Sequence, residues 1–138
     1  MEAVLDTCVI YSGLYSTEGA SFEILSLVGK GELTPVISNS LIYEYEGVLK
    51  RNCKALELSL EEIDRFLDGI CVVGNQVEVS FMWRPHLKDA GDEHVLELSV
   101  ASNNKVLLTQ NIQDFKCAVD LGVSVYTPRD YLNKRKES

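Results

Sequence analysis

At 138 residues the chain has the length of one ordinary domain and can enclose a real core, and 46% apolar with 25% charged residues is the balance of a globular protein in water. No apolar run is long enough to span a membrane, and the opening MEAVLDTCVIYSGL lacks a basic start and is interrupted by Asp6; a secretory signal is thereby excluded and a cytoplasmic protein expected. The formal net charge of −8 argues against broad attraction to nucleic acid and fits a protein that gathers acids around a hard cation or meets a basic partner.

Strand and helix patterns alternate along one domain, residues 1–138, with no linker or repeat. Ala3-Val4-Leu5 is a short apolar run ending at Asp6 and reads as a buried strand. A helix is predicted over Ser21–Lys30, closed by Gly31. Pro35-Val36-Ile37 is a second strand, and Ser38 then caps a helix through about Arg51. Ser59-Leu60-Glu61-Glu62 is a capping box for a helix to about Cys71. Gln76 to Met82 alternates like a strand. Asp92 is predicted to open a helix to about Asn103. Val106 to Thr109 is a buried strand, Asp114 to Leu121 a short helix ending at Gly122, and Val123 to Tyr126 the last strand. Pro128 begins a terminal helix.

Strands this apolar between helices imply an α/β fold: a three-layer α/β/α sandwich around a central, mostly parallel sheet. Ligands in such sheets bind beyond the carboxyl ends of the strands. Four scattered cysteines, Cys8, Cys53, Cys71 and Cys117, have no zinc-like spacing and read as reduced thiols.

Four acids stand out. Asp6 ends a buried strand, where a carboxylate is costly unless paired, hydrogen-bonded or on a metal, although Asp also caps turns. Glu44 follows Leu41 at i+3 and precedes Val48 at i+4, so it interrupts the stripe predicted to face the sheet, unless the helix is rotated and Glu44 sits at its edge. Glu46 can pair with Lys50 instead. Asp92 shares a face with Val95 and Leu96, and N-capping also accounts for it; Asp89 lies three residues earlier. Glu93 and Glu97 are predicted to be solvated, and His86 and His94 incidental. Asp6, Glu44, Asp89 and Asp92 together offer the all-oxygen ligands that suit Mg²⁺ or Mn²⁺.

The segments VLDTCVIYSGL, SNSLIYEYEGVLKR, DAGDEHVLELSVASNNKVLLTQNIQDF and VYTPRDYL, in this order, resemble the motifs of the PIN-domain family over nearly the whole chain. The resemblance implies a metal-dependent ribonuclease like the VapC toxins of toxin–antitoxin systems, with single-stranded RNA as substrate, an antitoxin partner and a homodimer. It carries catalysis and metal binding to Asp6, Glu44 and Asp92, with Asp89 beside them. In many relatives an acid stands where Asn111 is, and Asp114 is a candidate ligand in compensation. Cys8 replaces the family's asparagine. Thr7, Thr109 and Asn111 are candidates for orienting carboxylates or substrate. Arg84, Lys88, Lys50, Arg51 and Lys116 are candidate backbone contacts. A PIN scaffold acting through partner binding, and a phosphotransferase with an aspartate nucleophile, are the competing readings.

Overall fold

The computed structural model describes residues 1–77 and 90–136, the second stretch without the side chains of 90–93. Among the described residues five parallel strands form one sheet in the order β3-β2-β1-β4-β5: β1 is Glu2–Leu5, β2 Thr34–Ile37, β3 Asn75–Gln76, β4 Val106–Leu108 and β5 Ser124–Tyr126. β1 is central. Val4 faces Val36 on one side and Leu107 on the other, and both neighbours are buried like Val4 itself. Strands covered on both faces need no alternation, which is why these runs are apolar throughout. The strand predicted from Gln76 onward begins at Asn75, and residues 78–82 of it lie outside the described residues.

Seven α-helices flank the sheet among the described residues: α1 Thr7–Tyr15, α2 Ala20–Gly29, α3 Asn39–Arg51, α4 Cys53–Leu56, α5 Leu60–Val73, α6 Ala90–Ala101 and α7 Pro128–Lys136. Ser38 caps α3 by accepting from the Leu41 amide at 3.1 Å, and the Ser59–Glu62 capping box opens α5, both as the sequence predicts. The predicted Asp114–Leu121 helix is instead a 3₁₀ segment over Ile112–Leu121, kinked at Phe115 and closed by Gly122 at φ 81°. The left-handed φ suits glycine, which has no Cβ to clash.

Two helices have no counterpart among the predicted elements. α1 follows β1 with no connecting loop, because Asp6 is at once the end of the strand and the N-cap of the helix. α4 is a single turn after Asn52. α6 begins at Ala90 rather than at Asp92, so Asp92 lies inside the first helical turn. Val95, Leu96 and Leu98, each fully buried, form its core-facing side.

On α3 the buried stripe is Leu41, Tyr45 and Leu49, at i, i+4 and i+8, and all three are fully buried. Each contributes roughly 1.5–3 kcal/mol of burial free energy. Glu44 and Val48 flank that stripe and are half-buried, which corrects the expectation that Glu44 interrupts it. A rotation of the helix by less than one residue's step of about 100° accounts for the difference, and Leu41 stays buried. The aromatic Tyr45 takes the core position, and Glu44 is left at the rim.

Candidate metal centre at the carboxyl edge of the sheet

The parallel strands end together, and Asp6 follows directly on the last residue of β1. Its side chain is 6% exposed and held on both oxygens. Oδ1 accepts from the Thr7 amide at 2.8 Å; Oδ2 accepts from Thr109 Oγ1 at 2.7 Å and from Cys8 Sγ at 3.5 Å. Burial nevertheless dominates and raises the Asp6 carboxyl above its ordinary value, with the nearby Glu44 charge pushing the same way. A buried carboxylate with a like charge beside it is short of a cation.

Glu44 reaches this edge from α3. Its Oε2 accepts from the Thr7 hydroxyl and its Oε1 lies 3.1 Å from His94 Nε2 on α6. The His94 hydrogen bond holds the Glu44 carboxyl below its usual range, overriding partial burial. Since a carboxylate only accepts, Nε2 carries the proton in this contact. The other ring nitrogen, Nδ1, is buried with no hydrogen-bond partner among the described residues. His94 is therefore part of the site and not incidental. The signal for it was its place one residue before the buried Val95, at the rim of α6 just as Glu44 is at the rim of α3.

Tyr45 is the other residue that sequence reasoning passed over. Fully buried, it donates its hydroxyl to the Leu5 carbonyl, the last of β1 before Asp6. Burial drives its own pKa well above the ordinary phenol value, so it remains a donor. Through this contact α3 is fastened to the end of β1, and Glu44, its sequence neighbour, is delivered beside Asp6.

Thr109 directly follows β4, and its hydroxyl also accepts from the Asn111 amide at 3.0 Å, which shapes the turn after the strand. Asn111 and Asp114 are both exposed; among the described residues Asp114 has no side-chain hydrogen bond to Asp6 or Glu44. Cys8 is partly buried, and desolvation with the adjacent Asp6 charge raises its thiol to about 11. Lys50 is held between Glu46 at 3.1 Å and Asp64 at 2.9 Å, which occupies it in an exposed ion-pair network rather than at a substrate backbone. Glu97 is half-buried and engaged, not solvated. Asp89, Arg84, Lys88 and His86 lie outside the described residues, as does the Asp92 side chain.

A family model described as a PIN domain matches residues 2–113. The chain belongs to the PIN-domain family. The match takes in Asp6, Thr7, Glu44, Asp89, Asp92, Thr109 and Asn111 and ends one residue before Asp114. PIN domains are nucleases that generally depend on divalent metal ions, and the five-stranded parallel sheet with helices around it fits their α/β/α architecture. No curated protein and no solved structure matches the chain.

The residues present fit a hard divalent cation in kind. Asp6 and Glu44 offer carboxylate oxygens, the neighbouring hydroxyls are those of Thr7 and Thr109, and the buried Asp6 gains most from a nearby positive charge. Among the described residues no group of three metal-binding side chains comes together. The described part of this PIN domain thus supplies a carboxylate pair. α6 packs against β1 and against α3, and His94 is the residue by which it reaches Glu44. No helix among the described residues is long and apolar enough to cross a membrane.

Proposed function

We propose that this PIN domain is an endoribonuclease that uses Mg²⁺ or Mn²⁺ to hydrolyse single-stranded RNA, and that it serves as the toxin of a toxin–antitoxin pair in the cytoplasm. The observation that carries the reading is the pairing of Asp6 and Glu44 at the carboxyl edge of a parallel sheet, each carboxylate fixed by a threonine hydroxyl. In this reading Asp6 and Glu44 hold the ion and Asp92, with Asp89 nearby, completes the acidic set. When bound, the ion lowers the pKa of water at the site and offsets the charge that builds on the scissile phosphate.

The chain's own groups do the positioning. Thr109 and Thr7 keep the carboxylates aimed, which spares reorganisation when charge develops. In-line attack by water leaves a 5′-phosphate and a 3′-hydroxyl. Asn111 offers an amide where an acid is common in the family, a weaker ligand, which supports one tightly held ion rather than two. The protein pairs as a homodimer, and a basic antitoxin matches its net charge of −8.

The test is cleavage of single-stranded RNA by purified wild type and by Asp6→Asn, with Mn²⁺ calorimetry on both. The expected outcome is cleavage and saturable binding in the wild type and neither in the variant, whose circular dichroism stays native. Cleavage that survives in the variant, free of contaminating nuclease, would sink the reading.

One observation favours a second reading, a PIN scaffold that works by binding a protein. His94 Nε2 lies 3.1 Å from Glu44 Oε1, and a basic side chain from a partner would satisfy Asp6 in the same manner. That reading predicts no Mn²⁺ affinity and a stable complex with a basic polypeptide.

A further inference from the structure

Beside the carboxylates, at the same edge, a cleft of about 370 Å³ opens between α1, the start of α2 and the start of α7. Tyr11, Tyr15, Ser12, Gln110 and Arg129 are among its walls. Tyr11 and Tyr15 lie one helical turn apart and stack with ring centroids at 5.9 Å and planes 18° apart. Tyr15 is 63% exposed. Arg129 is exposed and forms no ion pair among the described residues.

The cleft adjoins the carboxylate site through Gln110. Its backbone N–H donates to Cys8 Sγ at 3.4 Å, and Cys8 in turn reaches Asp6 Oδ2 at 3.5 Å. Its side-chain amide donates to the buried Ser21 hydroxyl at 3.1 Å, which fixes the amide plane and keeps the carbonyl oxygen as an acceptor. A stacked aromatic pair, an exposed guanidinium and a fixed amide therefore share one pocket next to Asp6.

We propose that this cleft is a nucleobase subsite, resting on the nuclease reading above and adding to it where the substrate strand lies. A base next to the cut phosphodiester continues the Tyr11–Tyr15 stack on the open side of Tyr15. Arg129 takes the adjoining backbone phosphate, and Gln110 with the Ser12 hydroxyl meets the base edge. Aromatic platforms of this kind accept any base and need it unstacked from a duplex, so they select single strands. The size agrees, since about 370 Å³ is at the lower end of the roughly 300–1,000 Å³ typical of small-molecule sites. A second cleft, along α3 and α5, is lined by Glu46, Asp64 and Asp68 and repels a polyanion.

The experiment titrates metal-stripped protein in chelator with adenosine 5′-monophosphate, uridine 5′-monophosphate and ribose 5-phosphate, following tyrosine ring resonances by NMR. Both nucleotides are expected to bind more tightly than the sugar phosphate. Tyr15→Ala should weaken nucleotide binding roughly tenfold, the loss of one base–aromatic stack, while Tyr15→Phe retains it. Equal affinity for ribose 5-phosphate, or nucleotide binding unchanged in Tyr15→Ala, overturns the subsite. RNA cleavage with the same kcat/KM in Tyr15→Ala as in wild type also overturns it and leaves the nuclease reading standing. Absence of cleavage in the wild type, together with Tyr15-dependent nucleotide binding, removes the nuclease reading and leaves the subsite.

Discussion

Thr109 donates its hydroxyl to Asp6 Oδ2 across 2.7 Å, joining the ends of β4 and β1 over 103 residues of sequence. The hydroxyl works in both directions, since it also accepts the Asn111 amide. Thr109→Val keeps the shape and removes both bonds. It should destabilise the protein by about 1–3 kcal/mol at pH 7, the cost of leaving buried polar groups unsatisfied, and weaken Mn²⁺ binding in parallel. Urea unfolding and calorimetry on the variant check this; stability within a few tenths of wild type would mean the bond orients nothing.

Asp6 should make the metal-free protein less stable at neutral pH than it would be with an amide there. Its folded pKa is raised above the ordinary 3.8, chiefly by burial. The sign follows from linkage: a group whose pKa rises on folding contributes stability below its unfolded pKa and loses it as pH climbs through the folded one. Asp6→Asn should therefore melt higher than wild type at pH 7 in chelator, and the gap should close on acidification toward pH 4. A gap that is constant with pH, or of opposite sign, would refute this account.

Glu44 runs the other way. His94 lowers its folded pKa below the ordinary 4.5, so its contribution is present above that value and lost as pH falls through the folded one. His94→Ala removes the largest cause of the lowering. The variant should lose stability relative to wild type at neutral pH, with the difference shrinking in acid. Thermal melts from pH 7 to pH 3 in chelator measure it, and the paired Glu44→Gln variant should abolish the pH dependence of the difference.

Cys8 should be slow to alkylate. With its thiol raised to about 11, only about one molecule in a thousand carries the thiolate at pH 8. Cys71 is exposed and should react first. Peptide mass spectrometry after brief iodoacetamide treatment gives the order, and labelling of Cys8 ahead of Cys71 would contradict it.

Gly74 closes α5 where space runs out. A Cβ there would stand 2.7 Å from the Ile70 carbonyl oxygen and 3.1 Å from that of Pro35, both backbone atoms that cannot swing aside. Gly74→Ala should cost about 1–3 kcal/mol in a denaturant titration, an overpacking effect. A neutral result would mean that β3 and the end of α5 shift freely.

Much of this was legible in the sequence. The apolar runs around Val4, Val36 and Leu107 specify buried parallel strands because no polar residue interrupts them, and Ser38 and Ser59 declare their helices through local capping chemistry. Asp6 was conspicuous because it follows such a run. The rim of the site was harder to read. Glu44 and His94 meet across two helices, and nothing in either helix's own periodicity specifies the contact. The α3 stripe differs from the expected one because tyrosine can face either water or core, and here Tyr45 faces the core with its hydroxyl on the Leu5 carbonyl. α1 was missed since a single residue, Asp6, both ends the strand and caps the helix, leaving no turn residues to mark the boundary.

The central position of β1 has a consequence for synthesis. A nascent chain can pair β1 with β2 once residues 34–37 are made, but the other edge of β1 stays open until residues 106–108 arrive. Distant parallel pairing of this kind closes late and slowly. Thr109 is made just after that closing strand, so Asp6 acquires its second anchor only once 103 further residues have been added. A chain interrupted before β4 therefore holds Asp6 without its Thr109 anchor, beside a β1 with one edge still open.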